Sequence, residues 1–318
     1  MSRAILLLAH GTPDTLDEIP AYLRNVTSGR PLPQAVVDEI THRYSLIGRS
    51  PLTDITMEQA HLLQQSINVP VYVGMRNWKP YIATVVRRLR EDGVSAIAAI
   101  CLAPQNSRTS VGLYRRAVFA EAGDNVTVDF TDQWADHPLL IQAFAERLRA
   151  KRQALVAELG HPVPVLFTAH SVPLRTIQGD GGNPADPYAD QARRTASLVA
   201  AQLAPNGLRP SDWTFAFQSQ GASGGVWIGP TVEDTLTELR RAGHTAVLIQ
   251  PIGFLCDHVE VLYDIDIAFR DYGARIGLRV ERTESLNGSP TLTAALADLA
   301  QTALARLSTN TIAAAPIP

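Results

Sequence analysis

The sequence predicts an α/β protein built as two similar, doubly wound parallel-sheet domains, Rossmann-like in type, around a central cleft. Three observations carry this. Runs at 4–9, 71–74, 96–103, 163–169, 214–218 and 245–251 are continuously apolar or β-branched, as strands buried on both faces require. Helix-periodic segments separate them, among them 139–159, 189–203 and 231–242, and alternating β and α elements imply parallel sheets with right-handed crossovers. The chain also repeats itself weakly. Its 318 residues fit two domains of roughly 150 residues each.

The repeat orders the elements. Residues 5–13 read Ile-Leu-Leu-Leu-Ala-His-Gly-Thr-Pro, and residues 165–173 read Val-Leu-Phe-Thr-Ala-His-Ser-Val-Pro. Each is an apolar strand ending in Ala-His, then a small residue, then Pro two further on. Later in each half, Trp78 and Pro80 open a helix that closes at Gly93, and Trp227 and Pro230 open one that closes at Gly243. Pro near a helix start and Gly just past its end is the expected punctuation. The boundary between domains falls near His161-Pro162, giving 1–160 and 161–291. A final helix, 292–307, is expected to pack back on the first domain, and 308–318, rich in Ala, Thr and Pro, reads as a flexible tail. Ligands of such sheets bind outside the carboxyl ends of the strands. His10, Pro104, His170, Gln218 and Pro251 all follow strand ends, so the informative residues of both halves are expected to meet at one cleft.

Composition narrows the function. A formal net charge of −3 with no Lys/Arg block lacks the phosphate-neutralising surface that nucleic acid needs. The two cysteines, Cys101 and Cys256, form no CxxC, which indicates neither a disulfide framework nor a zinc or cluster site. The apolar start is interrupted at His10 and Gly11, too short for a signal sequence, and no stretch approaches a membrane span. A cytoplasmic protein is expected, with a monomer as the default and peripheral membrane contact left open.

The densest chemistry lies at 251–266, Pro-Ile-Gly-Phe-Leu-Cys-Asp-His-Val-Glu-Val-Leu-Tyr-Asp-Ile-Asp. An apolar strand there runs into a helical pattern carrying four acids and His258. Glu260 and Asp264 (i, i+4) share one helix face, where like charges repel by about 0.2–0.5 kcal/mol. Such a ridge suits holding a cation or moving protons. A capping box, with Asp257 as N-cap and Glu260 three residues on, explains the same residues structurally, and both roles stay open. His170, at a strand end, can be a hydrogen-bonded structural residue or a proton acceptor and metal ligand. Residues 218–230, Gln-Ser-Gln-Gly-Ala-Ser-Gly-Gly-Val-Trp-Ile-Gly-Pro, lack the Lys-Ser/Thr ending of a P-loop. Small residues admitting a large flat ligand, with Trp227 as a wall, fit this loop; Trp227 as a core packer is the alternative.

These motifs resemble the ferrochelatases: Ala-His-Ser-Val-Pro at 169–173, Gln-Ser-Gln-Gly…Trp-Ile-Gly-Pro at 218–230 and Pro-Ile-Gly-Phe…Asp-His-Val-Glu-Val-Leu-Tyr-Asp at 251–264. Leu-Ala-His-Gly-Thr-Pro at 8–13, Arg43-Tyr44 with Gly48 and Ser50-Pro51-Leu52, and Leu102-Ala103-Pro104 with Ser107 and Tyr114 extend the likeness, in order, over nearly the whole chain. The resemblance implies a chelatase-type fold and the insertion of ferrous iron into a porphyrin in haem biosynthesis, protoporphyrin IX or coproporphyrin III, with release of two protons. It implies His170 and Glu260 as the catalytic pair on opposite sides of the macrocycle, and His170, Glu260 and Asp264 as metal ligands, with Asp271 as a further relay. Substrate contacts would come from His10, Arg30, Arg43, Ser50, Ser107, Tyr114 and Trp227, the arginines and Ser50 meeting propionates. Asp257, His258, Gln218 and Ser219 would support. Iron is then a substrate and no cofactor is permanently bound; porphyrin, iron and other haem-biosynthesis enzymes are the expected partners.

The likeness has departures. His10 stands where many bacterial relatives have Tyr, Ala268 where some have an acid, and Thr27-Ser28 in a loop that is often basic. The tail carries no cysteine for an iron–sulfur cluster. Two alternatives are a cobalt or nickel chelatase of a reduced tetrapyrrole, against which the long 218–230 loop speaks, and a non-catalytic haem-transfer protein, which would need no acid ridge.

Overall fold

The computed structural model describes residues 2–179, 184–203, 208–221 and 225–313, with side chains to 309. Ala222, Ser223 and Gly224 of the Gly-rich loop, and residues 314–318 of the tail, lie outside the described residues.

In chain order the elements are β1 (Ser2–Ala9), α1 (Ile19–Val26), α2 (Gln34–Ile47), α3 (Leu52–Ser66), β2 (Val71–Met75), α4 (Ile82–Glu91), β3 (Val94–Cys101), α5 (Val111–Ala122), β4 (Thr127–Thr131), α6 (Pro138–Leu159), β5 (Val165–His170), α7 (Leu174–Ile177), α8 (Tyr188–Leu203), β6 (Trp213–Gln218), α9 (Val232–Arg241), β7 (Ala246–Pro251), α10 (Val259–Leu262), a π-helix (Asp264–Phe269), α11 (Arg270–Ile276), β8 (Arg279–Arg282) and α12 (Pro290–Ala313). The strands form two four-stranded sheets, ordered β2-β1-β3-β4 and β6-β5-β7-β8, parallel throughout. The two orders are the same pattern used twice, which is the structural form of the sequence repeat.

The repeat is kept at the level of single bonds. The Met75 amide donates to the Pro80 carbonyl (2.6 Å) and the Phe217 amide to the Pro230 carbonyl (2.8 Å). The same strand-to-helix turn therefore spans five residues in one half and thirteen in the other. The excess is the Gly-rich loop, inserted where β6 ends.

Two strands escaped the sequence reading, β4 (Thr-Val-Asp-Phe-Thr) and β8 (Arg-Val-Glu-Arg). Both are short sheet edges, and unlike the edge strands β2 and β6 they interleave charged residues, Asp129 in β4 and Arg279, Glu281 and Arg282 in β8, so the continuous apolar signature is absent. The central strands β1, β3, β5 and β7 are buried almost end to end.

The chain divides into two compact units, discontinuous in sequence: residues up to 32, 52–134 and from 287 onward; and residues 33–51 with 135–286. The first has its core between β1, β3, α4 and α5, and its other face is covered by α3 and α12. Arg306 fastens α12 to Asp129 of β4 through two bonds of 2.8 Å. Helix α12 runs on through Ser308 and Thr309, which the sequence reading gave to the tail; their hydroxyls bond the carbonyls of Leu304 and Ala305 (2.8 and 3.1 Å), so polar side chains are accommodated in the last turns. The second unit has its core between its sheet, α9, the π-helix and α11. Helix α6 belongs here, packed on α8 and joined to β8 by the Lys151–Glu281 ion pair (2.9 Å). The change of unit thus comes at 134/135, before α6, rather than near 160.

Candidate active site

The second sheet places its chemistry at its own reversal of strand order. Helix α8 leads from β5 to β6 on one side, and α9 returns the chain across β5 to β7 on the other. The carboxyl ends of β5 and β7 flank the crevice at this switch point. His170 is the last residue of β5, and β7 runs out at Pro251 into the acid-rich segment. Gly253 makes the approach possible: a Cβ there would lie 2.9 Å from the Ala169 Cβ, so only glycine lets this chain cross over β5. The Ile252 amide bonds the Thr168 carbonyl (2.9 Å) and fixes the crossing.

His170 and Glu260 then meet directly, His170 Nε2 standing 3.1 Å from Glu260 Oε1. This corrects the expectation that they occupy opposite faces of a macrocycle. A flat ring between them would need about 3.5 Å of contact distance on each side. They are one hydrogen-bonded pair. The other imidazole nitrogen, Nδ1, faces the Ser171 carbonyl. Both ring nitrogens therefore face acceptors, which is the environment of an imidazolium beside a carboxylate.

A second imidazole completes the cradle. His258 Nε2 is 3.5 Å from Glu260 Oε2, and its Nδ1 donates to the Cys256 carbonyl (3.0 Å). The Phe254 ring stands edge-on to both, 6.5 Å from the His170 ring and 4.5 Å from that of His258. The segment is not one regular helix. Helix α10 is a single turn capped by the His258 backbone with no side-chain bond, and the π-helix follows, marked by the Ala268 amide bonding the Tyr263 carbonyl (2.9 Å). Such π segments are frequent at functional sites. The capping-box reading of Asp257 and Glu260 is thereby set aside: Glu260 faces two imidazoles, and Asp257 accepts from Ser285 (2.7 Å) and Arg282 (3.2 Å).

The adjoining groups come from the π-helix, α2, the end of β6 and α8. Asp264, 7% exposed, accepts from the Ser219 hydroxyl and lies 3.8 Å from Arg43 Nη1. Ser219 holds a left-handed backbone, φ 63°, a conformation unusual for a non-glycine residue and common at functional sites. Gln218 donates from Nε2 to the Glu260 backbone carbonyl (2.7 Å). Tyr188 donates its hydroxyl to the His170 carbonyl (2.9 Å).

Charge explains how protons distribute. Burial pulls the His170 pKa down, but the Glu260 carboxylate and the bonds to Glu260 and Ser171 outweigh it and raise it to about 8. Burial pushes Glu260 up, and the two imidazoles overcome this to hold it well below the usual carboxylate range. Asp264 is raised to about 6 by burial and by the Glu260 charge, against Ser219 and Arg43. One group thus titrates on each side of neutrality, a signature of functional sites.

A stability consequence follows by linkage. The raised His170 pKa contributes stability that is whole below its ordinary 6.5 and lost as pH rises through about 8. The depressed Glu260 pKa contributes stability present above 4.5 and lost on acidification. Asp264 adds an opposing slope from 3.8 to about 6. Differential scanning fluorimetry of wild type and His170→Ala across pH 5 to 9.5 is expected to show a melting-temperature gap that is widest near pH 6 and closes above about 8.

Arg43 lies over the Tyr263 ring (5.0 Å) and bonds Glu39 (3.0 Å) as well as facing Asp264, so its guanidinium already serves carboxylates of the protein. Ser50 is 1% exposed, with its hydroxyl buried and lacking a hydrogen-bond partner among the described residues. Trp227 lies against Gly221, where a Cβ would come within 3.0 Å of the indole, and it bridges to Pro173. Asp271 is exposed on α11. In the first unit, His10 is exposed beyond β1, its Nε2 3.1 Å from the Tyr22 hydroxyl and the Asn77 amide against its ring. Arg30 is exposed and closes its own loop on the Thr27 carbonyl (3.2 Å). Ser107 and Tyr114 are buried, the first organising the turn before α5 and the second within the core. Tyr188, Phe254 and Arg282 were not singled out from sequence; Phe254 and Tyr188 look like core aromatics there, and their contacts arise only in three dimensions. No three described His, Cys, Asp or Glu side chains stand as a preformed metal site.

Comparison with known proteins places this geometry in a family. The chain is 60% identical over 316 residues to a ferrochelatase of Acidobacterium capsulatum, covering 96% of each. It is 33% identical to a coproporphyrin III ferrochelatase of Geobacillus kaustophilus, covering 94% of this chain and 95% of that one. Among solved structures it shares its fold with SirB from Bacillus subtilis with Fe3+ (TM-score 0.57, 14% identity, 97% and 98% coverage). It shares it also with CbiX, the terminal enzyme of sirohaem biosynthesis in denitrifying bacteria (TM-score 0.51, 16% identity, 94% and 98% coverage). The Ferrochelatase family model matches residues 2–304, and this chain belongs to the ferrochelatase family.

Proposed function

We propose that the protein inserts ferrous iron into a porphyrin, protoporphyrin IX or coproporphyrin III, releasing two protons in haem biosynthesis. The observation that carries the chemistry is the His170–Glu260 pair, flanked by His258 and Asp264. A His170 pKa raised to about 8 keeps the imidazole protonated at neutrality, with Nε2 facing Glu260. A ferrous ion drawn to Glu260 and Asp264 opposes that positive charge and favours its loss, leaving Nε2 as a base. Neutral His170 then takes one pyrrole proton, and the second passes to the acid ridge, where a carboxyl titrating near 6 suits exchange near neutrality. The metal enters as the two N–H protons leave, so charge and protons balance. The acid ridge disfavours a haem-transfer role, which would need a pocket and ligands but no such relay.

Iron is substrate here, with no resident cofactor. The chain has two cysteines, Cys101 and Cys256, where an iron–sulfur cluster takes four thiolates. Among the described residues no helix is long and apolar enough to cross a membrane. Incubating the protein anaerobically with ferrous iron and each porphyrin, and following the Soret and Q bands, is expected to show conversion to the metalloporphyrin. Unchanged spectra with both substrates would overturn the proposal, and the faster one identifies the substrate.

We further propose that His10 ligates iron once it is in the ring, imidazole being a strong axial ligand. Its bond to Tyr22 holds the ring in place. Resonance Raman spectra of the product complex are expected to differ between wild type and His10→Ala. Identical axial signatures would remove the ligand role.

A further inference from the structure

We infer that Arg282 is a positioning residue for metal insertion, a clamp that sets the span of the segment carrying His258, Glu260 and Asp264. The inference rests on the metal-insertion reading above. Arg282 ends β8, paired beside Ile249 of β7, and its side chain is 12% exposed. Its fork grips Asp266 with two bonds, Nε to Oδ1 at 2.9 Å and Nη2 to Oδ2 at 2.7 Å. Its remaining nitrogen, Nη1, reaches Asp257 Oδ1 (3.2 Å) and the Thr283 carbonyl (3.0 Å).

Asp257 precedes the ridge and Asp266 follows it, so one planar cation joins both ends to the sheet. The segment needs such an anchor. Its backbone is a single α turn followed by a π-helix, without the unbroken ladder that would fix Glu260 relative to β5. Ser285 also bonds Asp257 (2.7 Å) and Arg270 lies 3.6 Å from Asp266, so each carboxylate has a second partner, while Arg282 touches both. Lysine presents a point charge and cannot reproduce a bidentate fork with a third arm.

The test compares Arg282→Lys, Arg282→Met and Asp266→Asn with wild type in steady-state iron insertion, alongside melting temperature. Loss of partners that orient reacting groups typically costs about 10–100-fold in activity. Arg282→Lys is expected to melt closer to wild type than Arg282→Met, yet to keep a kcat at least about tenfold below wild type with the porphyrin KM within about twofold. Asp266→Asn, which leaves Arg282 on Asp257, is expected to show the same loss of kcat should an Arg282 variant fail to fold. A lysine variant that restores kcat and melting temperature together would reduce Arg282 to a purely structural ion pair and overturn the inference. Absence of insertion by the wild type would overturn the metal-insertion reading and this inference with it.

Discussion

His170→Ala is expected to lower iron insertion by about 10²-fold or more, the usual contribution of a positioned acid–base group, while porphyrin still binds. In the proposed mechanism, alanine removes the nitrogen that alternates between holding a proton against Glu260 and accepting one from the substrate. It also leaves Glu260 with His258 as its remaining imidazole partner, at 3.5 Å. The fold should survive, because His170 caps the end of β5 rather than filling its core, its side chain being 32% exposed. Stopped-flow metalation, with porphyrin fluorescence as the binding control, separates the two steps. Retention of more than about a tenth of the wild-type rate would remove His170 from the proton path.

Glu260→Gln is expected to cripple turnover to a similar degree and to leave a folded protein. Glutamine keeps the volume and one acceptor oxygen, so His170 Nε2 still finds a partner. What it loses is the charge that raises the His170 pKa and draws a divalent cation. The cost to stability should be about 1.5–3 kcal/mol, the range for hydrogen bonds to charged groups. The decisive reading is the pH–rate profile, in which the limb governed by His170 moves to lower pH, since its main opposing influence to burial is gone. Wild-type activity with an unmoved profile would show that the carboxylate is dispensable to the chemistry.

Some of this protein was legible from residues alone. Continuous apolar runs identified six of the eight strands because a strand buried on both faces has no polar side to show. The strand-end His170, the 251–266 cluster and the Gly-rich loop were visible because chemistry-bearing residues are sparse among apolar runs. Motif resemblance, not periodicity, then supplied the family and the candidate substrate contacts.

Contacts made across long sequence separations were not legible. Nothing local distinguishes Arg282 from a surface arginine until β8 lies beside β7, 25 residues beyond Asp257. Helical spacing put Glu260 and Asp264 on one face, but the switch from α10 to a π-helix depends on what holds the segment from outside. That His170 and Glu260 form one pair rather than opposing faces follows from Gly253 crossing over Ala169, a backbone approach that no pattern of residue types encodes. Sequence by itself determined the repeated α/β plan, because burial periodicity is a local property of each strand and helix. Tertiary structure alone decided which acid meets which base, because proton affinity is set by neighbours within a few ångströms, and those neighbours arrive from the ends of β5, β6 and β7 and from α2.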